Sequence, residues 1–236
     1  MGGPALTECV MAETRIDAYP SLRDMRELFF SALLSDVLDD LGYVNQAMPH
    51  TIRPLDEGSV MVGRARTALY LEVYERPHPG ENPYELEITL VDSLKRDEIP
   101  VFACGMSGRI APWGGLLSTA ANFRGSAGAL MDGCVRDTRE IRAIGYPVFH
   151  GGIAPIDSKG RGKIVALDVG IECAGVKVAS GDLIFGDVDG VVVVPRAVEA
   201  DVIRRASERL KGERNTLAEL AAGETLANVF AKFGIL

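Results

Sequence analysis

Apolar residues recur at three- and four-residue steps from Ser21 onward (Leu22, Met25, Leu28, Phe29), which predicts an amphipathic helix. A second short helix is expected over 35–41, with Gly42 as its C-terminal stop. Residues 59–73 contain apolar–polar alternation and read as strand, and the prolines of 76–83 mark a loop. Leu86, Leu90, Val91 and Leu94 then make one helical face, and 100–104 is a short buried strand.

The middle of the chain repeats a strand–helix rhythm. A loop over 105–115 carries Pro112 and Trp113, and a helix rich in small residues follows over 116–123. A strand is expected at 127–131, a turn at Asp132-Gly133, a helix over 138–144 stopped by Gly145, and a strand at 147–149. Such a series predicts a mainly parallel layer with helices packed on it. Strands are then expected at 164–169, 176–178, 182–185 and 190–194, with turns at Gly181-Asp182 and Asp189-Gly190. Pro195 is expected to open a long helix with Val198, Val202, Ala206 and Leu210 on one stripe, and 225–236 a final short helix. Residues 1–20 lack a period and read as a loose arm. With no repeat, low-complexity tract or clear linker, the chain reads as one α/β domain over 1–236.

At 236 residues and 47% hydrophobic, the chain can bury one sizeable core. Its net charge of −8 argues against a nucleic-acid binder and against a polybasic membrane anchor. The apolar run 191–194 is far short of the roughly 20 residues a membrane span needs. Residues 1–11 show neither a basic n-region nor an apolar h-region, so a cytoplasmic protein is expected. Cys9, Cys104, Cys134 and Cys173 form no CxxC pair and read as small buried hydrophobes; His50, His78 and His150 are scattered and read as incidental. A phosphate loop ending at Gly162-Lys163 is excluded by Asp157 and Ile164, and neither GxGxxG after a strand nor GxSxG occurs.

Two stretches can carry chemistry. In the first, Arg136 and Asp137 fall at a strand-to-helix junction, and Asp137 and Glu140 share a helix face. Two such carboxylates can offer hard oxygen ligands to Mg²⁺ or Mn²⁺, and Arg136 can grip a carboxylate with two hydrogen bonds. The same Asp137-Thr-Arg-Glu140 run also satisfies a capping box, with Asp137 as N-cap and Glu140 at N3. In the second, the pair Gly114-Gly115 precedes a helix and frees several backbone N–H groups that could receive an anion. An ordinary turn before a closely packed helix fits that stretch equally.

On these residues the chain resembles the RraA-like family, which includes 4-hydroxy-4-methyl-2-oxoglutarate aldolases, proteins labelled dimethylmenaquinone methyltransferase-like, and regulators of ribonuclease E. The resemblance rests on 35–42, 113–121, 132–137, 145–149 and 181–195, in order along the chain. It implies a swivelling β/β/α fold, a homotrimer or hexamer with active sites at subunit interfaces, and a divalent metal. Arg136 would bind the carboxylate and oxo oxygen of a small 2-oxo acid, and Asp137 would hold the metal. Backbone amides of Gly115, Leu116 and Leu117 would hold the pyruvyl carboxylate. Where family aldolases commonly carry an acid, this chain has Gly115; it fits a variant in which Glu140 stands in for that acid. A further acid from a neighbouring subunit's C-terminal helix is implied, with Glu213 as the candidate. The expected activity is aldol cleavage of a 4-hydroxy-2-oxo acid or decarboxylation of oxaloacetate through an enolate. A non-catalytic regulator of the ribonuclease E type is the competing class, and a methyltransferase is disfavoured by the missing nucleotide loop.

Overall fold

The computed structural model describes residues 19–234. The expected N-terminal arm, Cys9 and the last two residues of the final helix lie outside them, apart from Tyr19 and Pro20. Helix α1 (Leu22–Leu28) is closed by a reciprocal box, in which the Ser21 hydroxyl accepts from the Asp24 N–H and Asp24 accepts from the Ser21 N–H. Helix α2 (Ser31–Asp40) begins four residues before the expected start at Ser35. The reason is distant: the Asp187 carboxylate accepts from both the N–H and the hydroxyl of Ser31, at 2.7 Å each. No local pattern shows a partner 156 positions away.

The strands are β1 (Arg53–Pro54), β2 (Met61–Glu72), β3 (Glu98–Ala103), β4 (Ala129–Val135), β5 (Val148–Ile153), β6 (Gly162–Leu167), β7 (Ile171–Cys173), β8 (Val176–Val178), β9 (Leu183–Gly186) and β10 (Val191–Val194). Between and after them come α3 (Glu85–Ser93), α4 (Gly115–Phe123), α5 (Thr138–Ile144), α6 (Glu199–Ala221) and α7 (Leu226–Phe233). The main sheet runs β1-β5-β4-β3-β2-β9-β10, with β6 also on β2. Strands β2 to β5 are parallel neighbours joined by α3, α4 and α5, as the strand–helix rhythm predicts. The remaining strands pair antiparallel, so the sheet is mixed. The hairpin β7–β8 stands apart, turned by Ala174 and Gly175 with both φ positive, the geometry of a two-residue type I′ loop.

Alternation along each strand sends side chains to two dry layers. Ile99, Val101 and Ala103 of β3, Leu130 of β4, Ile184 of β9, and Val191 and Val193 of β10 form one cluster with the β7–β8 hairpin. The opposite face splits in two. Around β3 and β4 it packs Phe102, Ala129 and Met131 against α3, α4 and α5. Around β9 and β10 it packs Leu183, Phe185, Val192 and Val194 against α1, α2 and α6. Coverage on both faces explains why 191–194 is an unbroken valine run.

Three sequence expectations are corrected. Strand β4 continues through Asp132 and Gly133 instead of turning there, with a register irregularity between Met131 and Cys134. Asp132 is buried and accepts the backbone N–H groups of Cys104 and Ala174, so it ties the end of β3 to the β7–β8 turn. The short strand β7 was not expected. Helix α6 starts at Glu199, because Pro195 to Val198 forms a turn closed by the Val198 N–H on the Pro195 carbonyl.

Replacing Asp132 by Ala orphans two buried N–H groups. The variant should lose about 3 kcal/mol, which lowers the melting temperature by about 6 °C or more in a calorimetric scan. Asp132→Asn, which keeps an acceptor oxygen, should lose less.

Candidate functional site

Trp113 fixes one wall of the site. It is fully buried between Phe102 and Tyr146, with ring centroids 5.5 and 6.2 Å away, and its indole N–H donates to the Ser118 hydroxyl at 2.7 Å. Its carbonyl accepts the Arg136 N–H at 3.0 Å, which extends the β4 edge onto the loop. The chain then passes through Gly114 and Gly115 into α4. A Cβ on Gly114 would sit 2.6 Å from Asp137 Oδ2 and 3.1 Å from Arg136 Cγ, so a side chain there would displace the Asp137 carboxylate and crowd Arg136. A Cβ on Gly115 would stand 3.2 Å from the Cβ of Glu140.

Asp137 is the N-cap of α5, but it does not form the expected capping box. Its backbone is left-handed (φ 54°, ψ 38°), and its side chain caps nothing on its own helix. Instead, Asp137 Oδ2 accepts the Gly115 N–H at 3.1 Å. That bond bridges the starts of α4 and α5. Neither α4 nor α5 is capped by the side chain of its own N-cap residue, so both leave first-turn N–H groups to other partners.

A pocket of about 270 Å³ opens beside this junction. Gly114, Leu116, Leu117, Arg136 and Asp137 line it, as do Tyr84, Glu87, Asp157 and Ser158. Gly115 and Glu140 are not among the lining residues; the Gly115 N–H bonds Asp137, and the Glu140 Cβ is Gly115's neighbour on α5. Glu213 is elsewhere: it pairs with Arg209 at 3.3 Å on α6, which packs on α2 through Asp36 and Asp40. Arg136 is placed between two carboxylates, its Nε 3.7 Å from Asp137 Oδ2 and its Nη1 3.7 Å from Asp157 Oδ1. Asp157 in turn accepts the Tyr84 hydroxyl at 2.6 Å. Burial pushes the Asp157 carboxyl up, but the Tyr84 hydroxyl, the Lys159 N–H and the Arg136 charge outweigh it and hold Asp157 below its ordinary range. Burial and the Asp157 anion push the Tyr84 phenol up to about 12.

Tyr84, Glu87, Asp157 and Ser158 were not singled out from sequence. A signal existed for Glu87: it lies three, four and seven residues before Leu90, Val91 and Leu94, so an acid occupies the apolar stripe of α3. In the structure Glu87 is 5% exposed, and its Oε1 accepts the hydroxyls of Tyr70 and Ser158. Burial drives its pKa up from 4.5 to about 7, with the Ser158 bond opposing and the Asp157 charge adding to the rise. Asp157 sits in an irregular loop, where no periodicity marks a side chain.

A carboxyl whose folded pKa is raised stabilises the fold less as pH climbs from its unfolded pKa through its folded one. Glu87→Gln, uncharged throughout, should therefore gain melting temperature relative to the parent between about pH 4 and pH 8. Calorimetry across that range checks this.

Among the described residues, no helix is long and apolar enough to cross a membrane, and no group of three or more His, Cys, Asp or Glu is placed to hold a metal. Comparison with known proteins adds the lineage. A protein of Halalkalibacterium halodurans, provisionally named a 4-hydroxy-4-methyl-2-oxoglutarate aldolase, is 33% identical over 84% of this chain and 86% of its own length. The 4-hydroxy-4-methyl-2-oxoglutarate aldolase of Thermus thermophilus is 29% identical over 67% of this chain and 90% of its own. The crystal structure of Streptomyces coelicolor RraAS2, described as an unusual member of the RNase ES inhibitor RraA family, superposes with a TM-score of 0.73. It covers 83% of this chain and 94% of its own at 24% identity, which supports the fold alone. The family described as RraA-like, Aldolase/RraA, matches residues 31–193. With Arg136, Asp137 and the Gly114-Gly115 pair all inside that span, the chain belongs to the RraA-like family.

Proposed function

We propose that this pocket binds a small 2-oxo acid and breaks a carbon–carbon bond in it, by aldol cleavage of a 4-hydroxy-2-oxo acid or decarboxylation of oxaloacetate. The observation that carries this reading is the convergence of a guanidinium, a helix start that its own N-cap residue leaves open and an exposed carboxylate on one small cavity. The names of the relatives agree with it.

The residues support a division of labour. The N–H groups of Leu116 and Leu117, at the start of α4, suit the substrate carboxylate. Arg136 suits the 2-oxo oxygen, where negative charge gathers as the bond breaks and an enolate forms. Its two flanking carboxylates limit how far the guanidinium can swing, so it is aimed before substrate arrives. The low exposure of the Trp113 wall keeps one side of the pocket dry, which strengthens that charge interaction.

Asp137 and Glu140 fit a divalent ion that keeps most of its water. Both are exposed oxygen donors whose Cβ atoms lie near Gly115, and Mg²⁺ is commonly held by one or two carboxylates. They do not make a complete protein cage, in keeping with the absence of any larger acidic group among the described residues. When bound, Mg²⁺ or Mn²⁺ would supply Lewis-acid polarisation of the oxo group. A trimer or hexamer completing the site from a neighbouring chain is part of the proposal. Its support is that α4 carries two exposed apolar residues seven apart, Leu116, 85% exposed and lining the pocket, and Phe123, 91% exposed. The acid expected of the neighbour remains Glu213.

The test is pyruvate release from oxaloacetate and from a panel of 4-hydroxy-2-oxo acids. Arg136→Ala should lower kcat/KM by about 100-fold or more, with an unchanged circular dichroism spectrum; unaltered turnover would remove Arg136 from the chemistry. Chelation should abolish turnover, and Mg²⁺ or Mn²⁺ should restore it in the parent but not in Asp137→Ala. Full activity in the presence of chelator would defeat the metal assignment. A parent protein that turns over none of these acids would leave the regulatory reading of the family.

A further inference from the structure

Glu87 is a buried acid that forms no salt bridge among the described residues. It is 5% exposed, and the hydrogen bonds it accepts come from two hydroxyls, Tyr70 on β2 and Ser158, both on Oε1. A purely structural carboxylate at such a place would ordinarily be paired or replaced by an apolar residue, because an unpaired buried anion is costly. Glu87 also belongs to two cavities at once. It lines the 270 Å³ pocket with Arg136 and Asp137, and a larger cavity of about 650 Å³ beneath the 74–83 loop.

We propose that Glu87 is the proton-transfer residue of the site, touching the reacting carbon and hydroxyl of the bound acid. The proposal rests on the 2-oxo acid reading above. In aldol cleavage the Glu87 carboxylate takes the proton of the 4-hydroxyl as the C3–C4 bond breaks. The electron pair of that bond becomes the enolate of the departing 2-oxo acid, and C4 leaves as a carbonyl compound. The Glu87 carboxyl then returns the same proton to C3, which closes the cycle with no net change in the residue. In decarboxylation only the second half is used, and Glu87 regains its proton from solvent through the larger cavity.

The surroundings suit that role. A proton carrier works best when its pKa lies near the working pH, and burial moves Glu87 to about 7. Asp157 disfavours its anion and Arg136 favours it. On the larger-cavity side the charged groups are the cations Arg76 and Lys163, His78, and the carboxylates Glu72, Glu75, Glu81 and Glu85. Both signs are present there. The Ser158 hydroxyl, which bonds the anion, holds the pKa down from where burial alone would take it.

The experiment is exchange of the methyl hydrogens of pyruvate for deuterium in D₂O, followed by proton NMR with Mg²⁺ or Mn²⁺ present, alongside the cleavage assays. Exchange needs binding and proton transfer but no carbon–carbon cleavage. Glu87→Gln should slow exchange and cleavage by about 100-fold or more, with KM within about threefold. The parent rate should rise with pH along a limb centred near the Glu87 pKa, and the variant should lack that limb. A loss smaller than about tenfold, or an unchanged limb, overturns the role. Should Glu87→Gln fail to fold, Ser158→Ala decides: its limb must move to higher pH, and an unmoved limb overturns the proposal. A parent that exchanges pyruvate but cleaves none of the acids sinks the lyase reading and leaves Glu87 standing. Cleavage and exchange that both survive in Glu87→Gln sink Glu87 alone. A parent that does neither sinks both.

Discussion

Two loops 22 residues apart meet so closely that a side chain at position 114 would push the Asp137 carboxylate aside. The loop 113–115 lies against the end of β4 so closely that a single methyl group on Gly114 would collide with the Asp137 carboxylate. Within that approach the Trp113 carbonyl takes the Arg136 N–H, and the Gly115 N–H goes to Asp137. Both helices then start from the same point with their N-termini uncapped by their own residues. The cavity, the aim of Arg136 and the exposure of Asp137 all follow from this contact. It is held from behind by Trp113 in the aromatic layer with Phe102 and Tyr146.

The sheet makes that contact possible because its parallel strands β3 and β4 end side by side, and α4 and α5 leave from the loops at those ends. Such placement at the carboxyl ends of parallel strands is where open α/β layers gather ligands. The antiparallel strands contribute differently: β9 and β10 build a second packing face for α1, α2 and α6, remote from the pocket. Packing and chemistry are therefore largely divided between two regions of one sheet.

Much of this was legible in the chain. The helix 138–144 with Gly145 as its stop is present as expected, and the long β2 and the loop 76–83 follow their patterns. What escaped depended on partners remote in sequence. Asp132-Gly133 has the composition of a turn, yet a buried Asp132 satisfied by Cys104 and Ala174 keeps β4 extended. The early start of α2 depends on Asp187. Asp137 and Glu140 carry a capping pattern, but the Gly115 N–H competes for Asp137 from another loop. At the site, Arg136 and Asp137 stood out by motif, while Tyr84, Asp157 and Ser158 reach the pocket only through tertiary structure.

The left-handed backbone of Asp137 limits which amino acids that position can accept. Glycine occupies this conformation freely, and among L-residues asparagine and aspartate do so most readily, while others are strained by about 1–2 kcal/mol. A side-chain oxygen that accepts the Gly115 N–H is used at the same point, which glycine cannot supply. Glutamate would bring charge but not the backbone preference. Backbone and hydrogen bond thus narrow position 137 from two independent directions, and aspartate or asparagine meets both.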